Sequence, residues 1–408
     1  MREVLRNRQF RKLFLANLFS GCGQGMTMIG ISWYLVESTG SAGLLGTTML
    51  ISSILTLLVA PYSGTLIDRF SRKAILQLEQ LGGFVVLACL AAWGFWGDYQ
   101  PWMMVLIFLA SLLLFQLHEP TQAAFVQETF APKQYHAINS LLEIENQTAL
   151  VLAGALAGLL LESYGLHIVL LLNALTYLVA FWLMTGIEYV SAIRQQTKKS
   201  HPVSWVEQFR QSWVYIKERR GFLTFGTAAL MPFIAVMLAN LLNPVFVSQT
   251  LREDVKIYSL GEVTYSAGAV AAGMLILWIQ RKWGAYGTML AHYAWMAFAF
   301  ILTVALPSGW MFILLSAIMG WCNVSTRLIR QTMYMEMLPN RLIGRVMSFF
   351  KSVGTLMRLL LLALFTTMTD SIGPAAGYLV LAGLLLAAML GVAVSMPFLM
   401  RQAVAAEE

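Results

Sequence analysis

Residues 64–73 read GTLIDRFSRK, a short polar stretch at the junction of two long apolar runs, about 42–67 and 74–97. The stretch carries one glycine, one acid and three basic residues in a tight order: Gly64, Asp68, Arg69, Arg72 and Lys73. Each flanking run is long enough to cross a bilayer, which takes about 20 apolar residues. The stretch is therefore predicted to be a loop between two membrane helices, and we call it the basic loop.

The same apolar signal continues along the whole chain of 408 residues. Hydrophobic residues make up 58% and charged residues 12%, against roughly 25% charged in soluble domains. The apolar runs are too long for the roughly 10-residue strands of a membrane barrel, and in lipid the only other structure that satisfies the backbone is the helix. We predict an all-α membrane protein with twelve spans, at about 13–36, 42–67, 74–97, 101–128, 136–162, 164–187, 221–248, 259–280, 285–307, 309–337, 345–369 and 374–399.

The chain has a net charge of +7, and most of its basic residues lie in the predicted loops between spans. Basic residues cluster before the first span, in the basic loop and between the sixth and seventh spans, and the opposite side carries only Arg252 and Lys256. Lys and Arg concentrate in cytoplasmic loops, so both termini are predicted to be cytoplasmic, in a bacterial inner membrane. This distribution favours lipid as the neighbour of the chain and argues against nucleic acid.

The longest polar segment, 188–220, divides the chain into six spans on either side. We predict an N-terminal half (1–187), a cytoplasmic linker (188–220) and a C-terminal half (221–408), which suggests two repeats that rock about a central site. Within the linker an apolar stripe recurs at helical spacing: Trp205, Phe209, Trp213 and Ile216. This helix either lies on the inner membrane surface or packs on the halves as a linker helix, and the sequence does not separate the two.

Charges inside the spans are costly, about 2.5–3.5 kcal/mol each at the centre of a helix, and usually functional. Those of the N-terminal half are chiefly acidic, and those of the C-terminal half are basic. Helical spacing places Asn323, Arg327 and Arg330 on one face, and places Glu143 on a polar face from which Glu145 points away.

Two interpretations of these charges stay open. Acids of the fourth and fifth spans pair with bases of the tenth and eleventh and close an inner gate, or the basic face binds an anionic substrate while an acid carries a proton. Candidate substrate-binding residues are Arg327, Arg330, Arg358, Asn323, Gln24 and Asn240. Candidate proton-coupling or gate residues are Glu119, Glu143, Glu145, Lys351 and His118.

The basic loop resembles the signature loop of the major facilitator superfamily, which reads Gly, three residues, Asp, a basic residue, any residue, Gly and two basic residues. Ser71 stands where the family usually has the second Gly. Further stretches resemble the macrolide-efflux and siderophore-exporter branch of the superfamily: WYLVESTGSAG at 33–43, HEPTQAAFVQETF at 118–130 and LIGRVMSF at 342–349. The resemblance covers the layout of the whole chain and implies the major facilitator fold, with two pseudo-symmetric halves.

The resemblance also implies roles for particular residues. Asp68 would face the N-terminal end of the eleventh span, and Arg72 would reach Glu128 at the inner end of the fourth, so that the basic loop and Glu128 act as a conformational lock. LAGALAGLL at 152–160 lies where antiporters of the superfamily carry a Gly-Pro motif, with Ala155 in the place of the Pro.

These observations favour a transporter over an enzyme. The chain has no phosphate-binding glycine loop and no metal-ligand spacing, so we expect no ATP hydrolysis, no metal and no cofactor. The first expectation is a monomeric, proton-coupled exporter of a small organic compound, anionic and siderophore-like. The alternatives are a multidrug exporter of lipophilic compounds, with a role in drug resistance, and a flippase or facilitator of anionic lipid.

Overall fold

The structure is a computed structural model that describes residues 2–189, 205–338 and 340–407. These residues form helices and no strand. The α-helices are α1 (Arg2–Arg6), α2 (Arg8–Thr39), α3 (Ala42–Arg69), α4 (Arg72–Trp93), α5 (Pro101–Thr129), α6 (Tyr135–Tyr164), α7 (Leu166–Thr185), α8 (Trp205–Glu218), α9 (Phe222–Ala228), α10 (Met231–Val245), α11 (Val255–Trp283), α12 (Ala285–Ala305), α13 (Gly309–Met337), α14 (Asn340–Ile372) and α15 (Pro374–Glu407).

The all-α membrane fold predicted from the sequence is confirmed. Helices α2 to α7 match the first six predicted spans, α9 and α10 together form the seventh, and α11 to α15 match the rest. Within the described residues, ten of these spans are long and apolar enough to cross a membrane by length and composition. Helices α2 and α11 are not among these ten spans. They are long enough to cross a membrane but carry polar residues along their faces.

The seventh span is broken twice. Helix α9 ends at Ala228 and α10 begins at Met231, with Pro232 in its first turn. Proline has no backbone N–H and cannot continue a helical hydrogen-bond ladder. A second proline, Pro244, precedes a π-helical turn at Phe246–Leu251. The break before Pro232 was not predicted from the sequence.

The chain divides into two compact units. Unit 1 comprises Met1–Lys198 together with Val247–Val263, and unit 2 comprises Lys199–Phe246 together with Thr264–Glu408. Unit 1 thus contains the six N-terminal spans and a short stretch that the sequence analysis assigned to the C-terminal half.

Inside unit 1, α2 packs against α6 and α7, α4 packs against α5 and α7, and α3 packs against α5. One close approach depends on Gly23 of α2, because a Cβ there would collide with the Asn173 side chain of α7. The space lets Asn173 Nδ2 donate a buried hydrogen bond of 2.7 Å to Thr27 Oγ1.

The first turns of α11 complete unit 1 by packing on α6. A Cβ at Gly158 would lie 2.9 Å from Ser259 Oγ and 3.0 Å from Lys256 Cα, so only a glycine allows this approach. One turn further along α6, Glu162 Oε2 lies 2.6 Å from Lys256 Nζ. The LAGALAGLL stretch is therefore a packing surface for α11.

Inside unit 2, α12 packs on α13 and α15, and α10 packs on α13, α14 and α15. Helix α8 spans the stretch with the predicted apolar stripe and packs on α14. The Trp213 ring lies 6.1 Å from Phe349, and Ile216 is buried. The side chains of Trp205 and Phe209 lie outside what the structure describes. These contacts favour the linker helix that packs on a half over a helix that lies on the membrane surface alone.

Candidate transport site and the basic loop

Of the basic loop, only Phe70 and Ser71 lie between α3 and α4, and the rest of it belongs to these two helices. Helix α3 ends at Arg69, and Ser71 caps α4 with ordinary backbone angles, φ −61° and ψ 122°. Its side chain accepts a hydrogen bond of 3.4 Å from the Ala74 backbone N–H. A serine is favourable at such a cap because its oxygen satisfies an N–H that the first helical turn leaves free. The turn therefore does not need the glycine that the signature usually has.

Arg72 reaches Glu128, as the resemblance implied. Arg72 Nη1 lies 3.0 Å from Glu128 Oε1 at the end of α5, with side chains only 10% and 13% exposed. The Tyr189 hydroxyl donates to Glu128 Oε2. The ion pair predicted by the resemblance is confirmed, while its role as a conformational lock stays a prediction.

Two lysines cap the C-terminus of α7. Lys73 Nζ donates to Thr185 O at 3.0 Å and to Ile187 O at 2.6 Å, and Lys12 Nζ of α2 donates to Gly186 O. The last carbonyls of a helix have no partner inside it and carry partial negative charge, so cations are favourable there. These caps were not predicted from the sequence.

The rest of the basic loop is less fully described. Gly64 lies within α3. The side chain of Asp68 lies outside what the structure describes, so its expected contact with the eleventh span stays a prediction. Arg69 is exposed in the last turn of α3.

A polar cavity of about 290 Å³ lies within unit 1, between α2, α4, α5, α6 and α7. Of the predicted site residues, five line it: Gln24, His118, Glu119, Glu143 and Glu145. Glu79 adds a fourth carboxylate, and amides surround the acids: Asn17, Gln80, Gln122, Asn139 and Asn146. Among the described residues that line this cavity there is no lysine or arginine. We call it the acidic cavity.

His118 is held by Glu79 across two helices. His118 Nδ1 on α5 lies 3.1 Å from both carboxylate oxygens of Glu79 on α4, and the Glu79 side chain is only 4% exposed. A carboxylate accepts hydrogen bonds, so this contact favours the tautomer that carries a proton on Nδ1. Glu79 is not among the candidate site residues predicted from the sequence.

The two glutamates of α6 differ in burial. Glu145 is buried and lies beside Asn17 of α2, while Glu143 is exposed and accepts a hydrogen bond of 3.0 Å from Gln147 Nε2. Both side chains nevertheless line the cavity, because it spans a wide arc of α6. Within the described residues, no group of three or more His, Cys, Asp or Glu side chains is arranged to hold a metal ion.

In unit 2, the Arg330 side chain binds a backbone carbonyl. Arg330 Nη1 donates a hydrogen bond of 2.9 Å to Ala229 O, in the break between α9 and α10. Tyr293 OH donates to the neighbouring Ala228 O at 2.8 Å. Proline and the break leave these carbonyls without helical partners, and the two side chains satisfy them.

The other predicted residues of unit 2 differ in burial. Asn323 is buried, and its Nδ2 donates a hydrogen bond of 2.7 Å to Tyr265 OH. Arg358 is half-buried on α14, and no described residue accepts a hydrogen bond from its Nε. The remaining candidates are Arg327 and Asn240, both half-buried, and Lys351, which is exposed. Pairing of these bases with acids of unit 1 stays a prediction.

Comparison with known proteins identifies the family. A sequence profile described as Major Facilitator Superfamily matches residues 13–249, more than half of the chain. The chain belongs to the Major Facilitator Superfamily. Its spans and its relatives make it a multi-pass membrane transporter.

Relatives of this superfamily member agree with the branch that the sequence resembles. The chain is 19% identical over 371 residues to macrolide efflux protein A of Streptococcus pyogenes, covering 90% of each chain. It is 21% identical over 277 residues to a Na(+), Li(+), K(+)/H(+) antiporter of Planococcus maritimus, covering 66% of this chain and 65% of that one. The resemblance to the macrolide-efflux branch is thus confirmed.

Solved structures support the fold of this superfamily member. A bacterial homologue of the iron transporter ferroportin, in its inward-facing state, aligns with a TM-score of 0.71 and 16% identity. The alignment covers 96% of this chain and 98% of that one. At this identity the similarity concerns the fold alone.

Proposed function

We propose that this protein is a proton-coupled exporter of small organic compounds, and that the acidic cavity takes part in binding both proton and substrate. The observation that carries the proposal is the composition of that cavity: four carboxylates and one imidazole, with no lysine or arginine among the described residues that line it. Ionisable groups within membrane spans mark substrate and proton pathways in transporters.

The direction and the location of transport rest on similarity and charge. Relatives named for macrolide efflux and for cation/proton antiport favour export in exchange for protons. The basic residues near the basic loop favour a cytoplasmic position for that end of the helices, in a bacterial inner membrane with both termini inside.

The charge of the acidic cavity favours neutral or cationic substrates. An anionic, siderophore-like compound, the first expectation from the sequence, would be repelled by four carboxylates, whereas a lipophilic compound with a positive charge would be attracted. Apolar side chains also line the cavity, among them Phe115 and Leu142. The multidrug alternative is therefore the function that the geometry supports best.

One observation keeps an anionic substrate as the second candidate. Arg358 lies inside a membrane span. Its Nε is buried and donates no hydrogen bond to any described residue. An unpaired buried donor is costly, and a carboxylate or phosphate of a substrate or lipid would satisfy it.

Thermal stability of the purified protein tests these candidates. The ligands are tetraphenylphosphonium, erythromycin, citrate and an anionic lipid, each measured with wild type, Glu145→Gln and Arg358→Gln. A ligand that binds only the folded state stabilises by about 2.7 kcal/mol at a hundred times its dissociation constant. We expect stabilisation by the cation and the macrolide, weakened in Glu145→Gln. Stabilisation by the anions alone, lost in Arg358→Gln, would replace the first candidate with the second.

A further inference from the structure

We propose that Glu79 and His118 form the proton-carrying pair of the transport cycle, and that His118 Nε2 is the atom that takes up and releases the proton. The inference rests on the proposed function and deepens it, because it assigns the coupling proton to a residue pair rather than to a glutamate of α6.

The contact between the two side chains leaves one nitrogen of the imidazole available. Both Glu79 oxygens lie 3.1 Å from His118 Nδ1, whereas no described residue makes a hydrogen bond to Nε2. His118 lines the acidic cavity, so a proton that enters with cavity water can reach its ring. The neutral imidazole carries its hydrogen on Nδ1 and offers the Nε2 lone pair to that proton.

Proton transfer at this site balances without a further reactant. A hydronium ion in the cavity gives its proton to Nε2, an N–H bond forms, and a water molecule remains. The product is an imidazolium held by the Glu79 carboxylate. On release the N–H bond breaks and the proton returns to water on the other side of the membrane. Imidazole suits this task because it is the side chain whose charge ordinarily changes between pH 5 and 8.

The surroundings of His118 are acidic on every neighbouring helix that carries a charge. Glu119 of α5 and Glu145 of α6 are the next charged groups that act on it. Glu143 of α6 lines the same cavity, and Tyr177 of α7 contributes a phenol near Glu79. Helix α2 contributes only neutral groups such as Asn17 and Gln24.

The nearest base on α4 does not compensate these acids. That base is Lys73, six residues before Glu79 and about 9 Å along the helix, and its Nζ donates to the Thr185 and Ile187 carbonyls. Arg72, one residue earlier, is paired with Glu128.

This arrangement links the proton to the substrate. The imidazolium and a cationic substrate are attracted by the same carboxylates and repel each other, so binding of one favours release of the other. Such competition for one cavity is sufficient to exchange protons for substrate, provided that the cavity opens alternately to the two sides.

The test uses the full-length protein in liposomes with tetraphenylphosphonium as the probe, which has no group that binds or loses a proton. Liposomes with an acid interior, and with the membrane potential clamped at zero by potassium and valinomycin, report uptake driven by the pH gradient. Exchange of labelled against unlabelled probe without a gradient reports binding and conformational change alone. Variants are Glu79→Gln and His118→Gln, with Glu37→Gln and His167→Gln as controls at positions outside the acidic cavity.

We expect both cavity variants to lose gradient-driven uptake down to the level of protein-free liposomes. His118→Gln should keep exchange and make it independent of pH, whereas Glu79→Gln should weaken exchange, because this carboxylate also attracts the cationic probe. The controls should behave as wild type. Gradient-driven uptake retained in either cavity variant would overturn the inference and leave the proposed function standing. Loss of exchange in His118→Gln would assign the histidine to substrate binding or folding and also overturn the inference. Wild-type protein without gradient-driven uptake would instead remove the proposed function.

Discussion

Arg72 Nη1 and Glu128 Oε1 lie 3.0 Å apart and join the start of α4 to the end of α5. Tyr189 donates to the other oxygen of the same carboxylate. Both charged side chains are nearly enclosed, so the removal of one leaves the other without a counter-charge in a poorly hydrated place.

We expect Glu128→Gln to lower the free energy of unfolding by about 3 kcal/mol, as for other enclosed pairs broken on one side. Thermal unfolding in detergent would measure this. The double variant Arg72→Gln with Glu128→Gln should lose less than the sum of the single losses, since side chains in contact are energetically coupled. Strictly additive losses would show that the pair does not interact energetically.

The close approach of α6 and α11 gives a second prediction. Gly158→Ala would place a methyl group against the Lys256 backbone at 3.0 Å, and backbone atoms cannot turn aside. Overpacking of this kind costs about 1–3 kcal/mol, so the melting temperature should fall. Gly82→Ala is the matched control, because a Cβ there meets nothing within 4 Å. Equal melting temperatures of the two variants would argue against this contact.

Substitutions of Arg330 and of Arg358 in unit 2 should change the stability of the protein by different amounts. Arg330→Gln removes a charge-assisted hydrogen bond to Ala229 O, which is worth about 1.5–3 kcal/mol. Arg358→Gln removes a buried cation whose Nε has no acceptor among the described residues, so it should leave stability unchanged or raise it. Thermal unfolding of both variants beside exposed Arg281→Gln would compare them. A larger loss in Arg358→Gln than in Arg330→Gln would reverse these assignments.

Ser71 allows a fourth prediction about the basic loop. Ser71→Ala removes the side-chain cap of α4 and should cost about 1 kcal/mol, whereas Ser71→Gly should cost only a few tenths, as at other N-caps. The glycine variant also restores the residue that the family signature usually has. Thermal unfolding of the two variants measures the difference, and a glycine variant less stable than the alanine variant would show that the cap is not what stabilises this turn.

The parts of the molecule that the sequence predicted well depend on local chemistry. The membrane spans follow from the need to satisfy the backbone in lipid, and α8 follows from a stripe at helical spacing. The contact between Arg72 and Glu128 was predicted because the family signature relates the two positions, although 55 residues separate them in the chain.

What the sequence could not predict depends on how helices pack. Glu79 and His118 lie 39 residues apart on different helices, and no periodicity along either one shows that they meet. Helical spacing places Glu143 and Glu145 on different faces of α6. A cavity between five helices meets several faces of one helix, so both side chains line it. The break before α10 was missed because the apolar run 221–248 continues through Pro232, so hydrophobicity alone does not show that the proline interrupts the helix.

The lysine caps on α7 place two separate demands on the same side chains. Lys12 and Lys73 belong to the positive charges that set the orientation of the chain during insertion, and both donate to backbone carbonyls at the end of α7. A substitution that weakens the topological signal therefore also frees a helix end in the finished protein. The orientation of this transporter and the assembly of its first six spans cannot vary independently at these two positions.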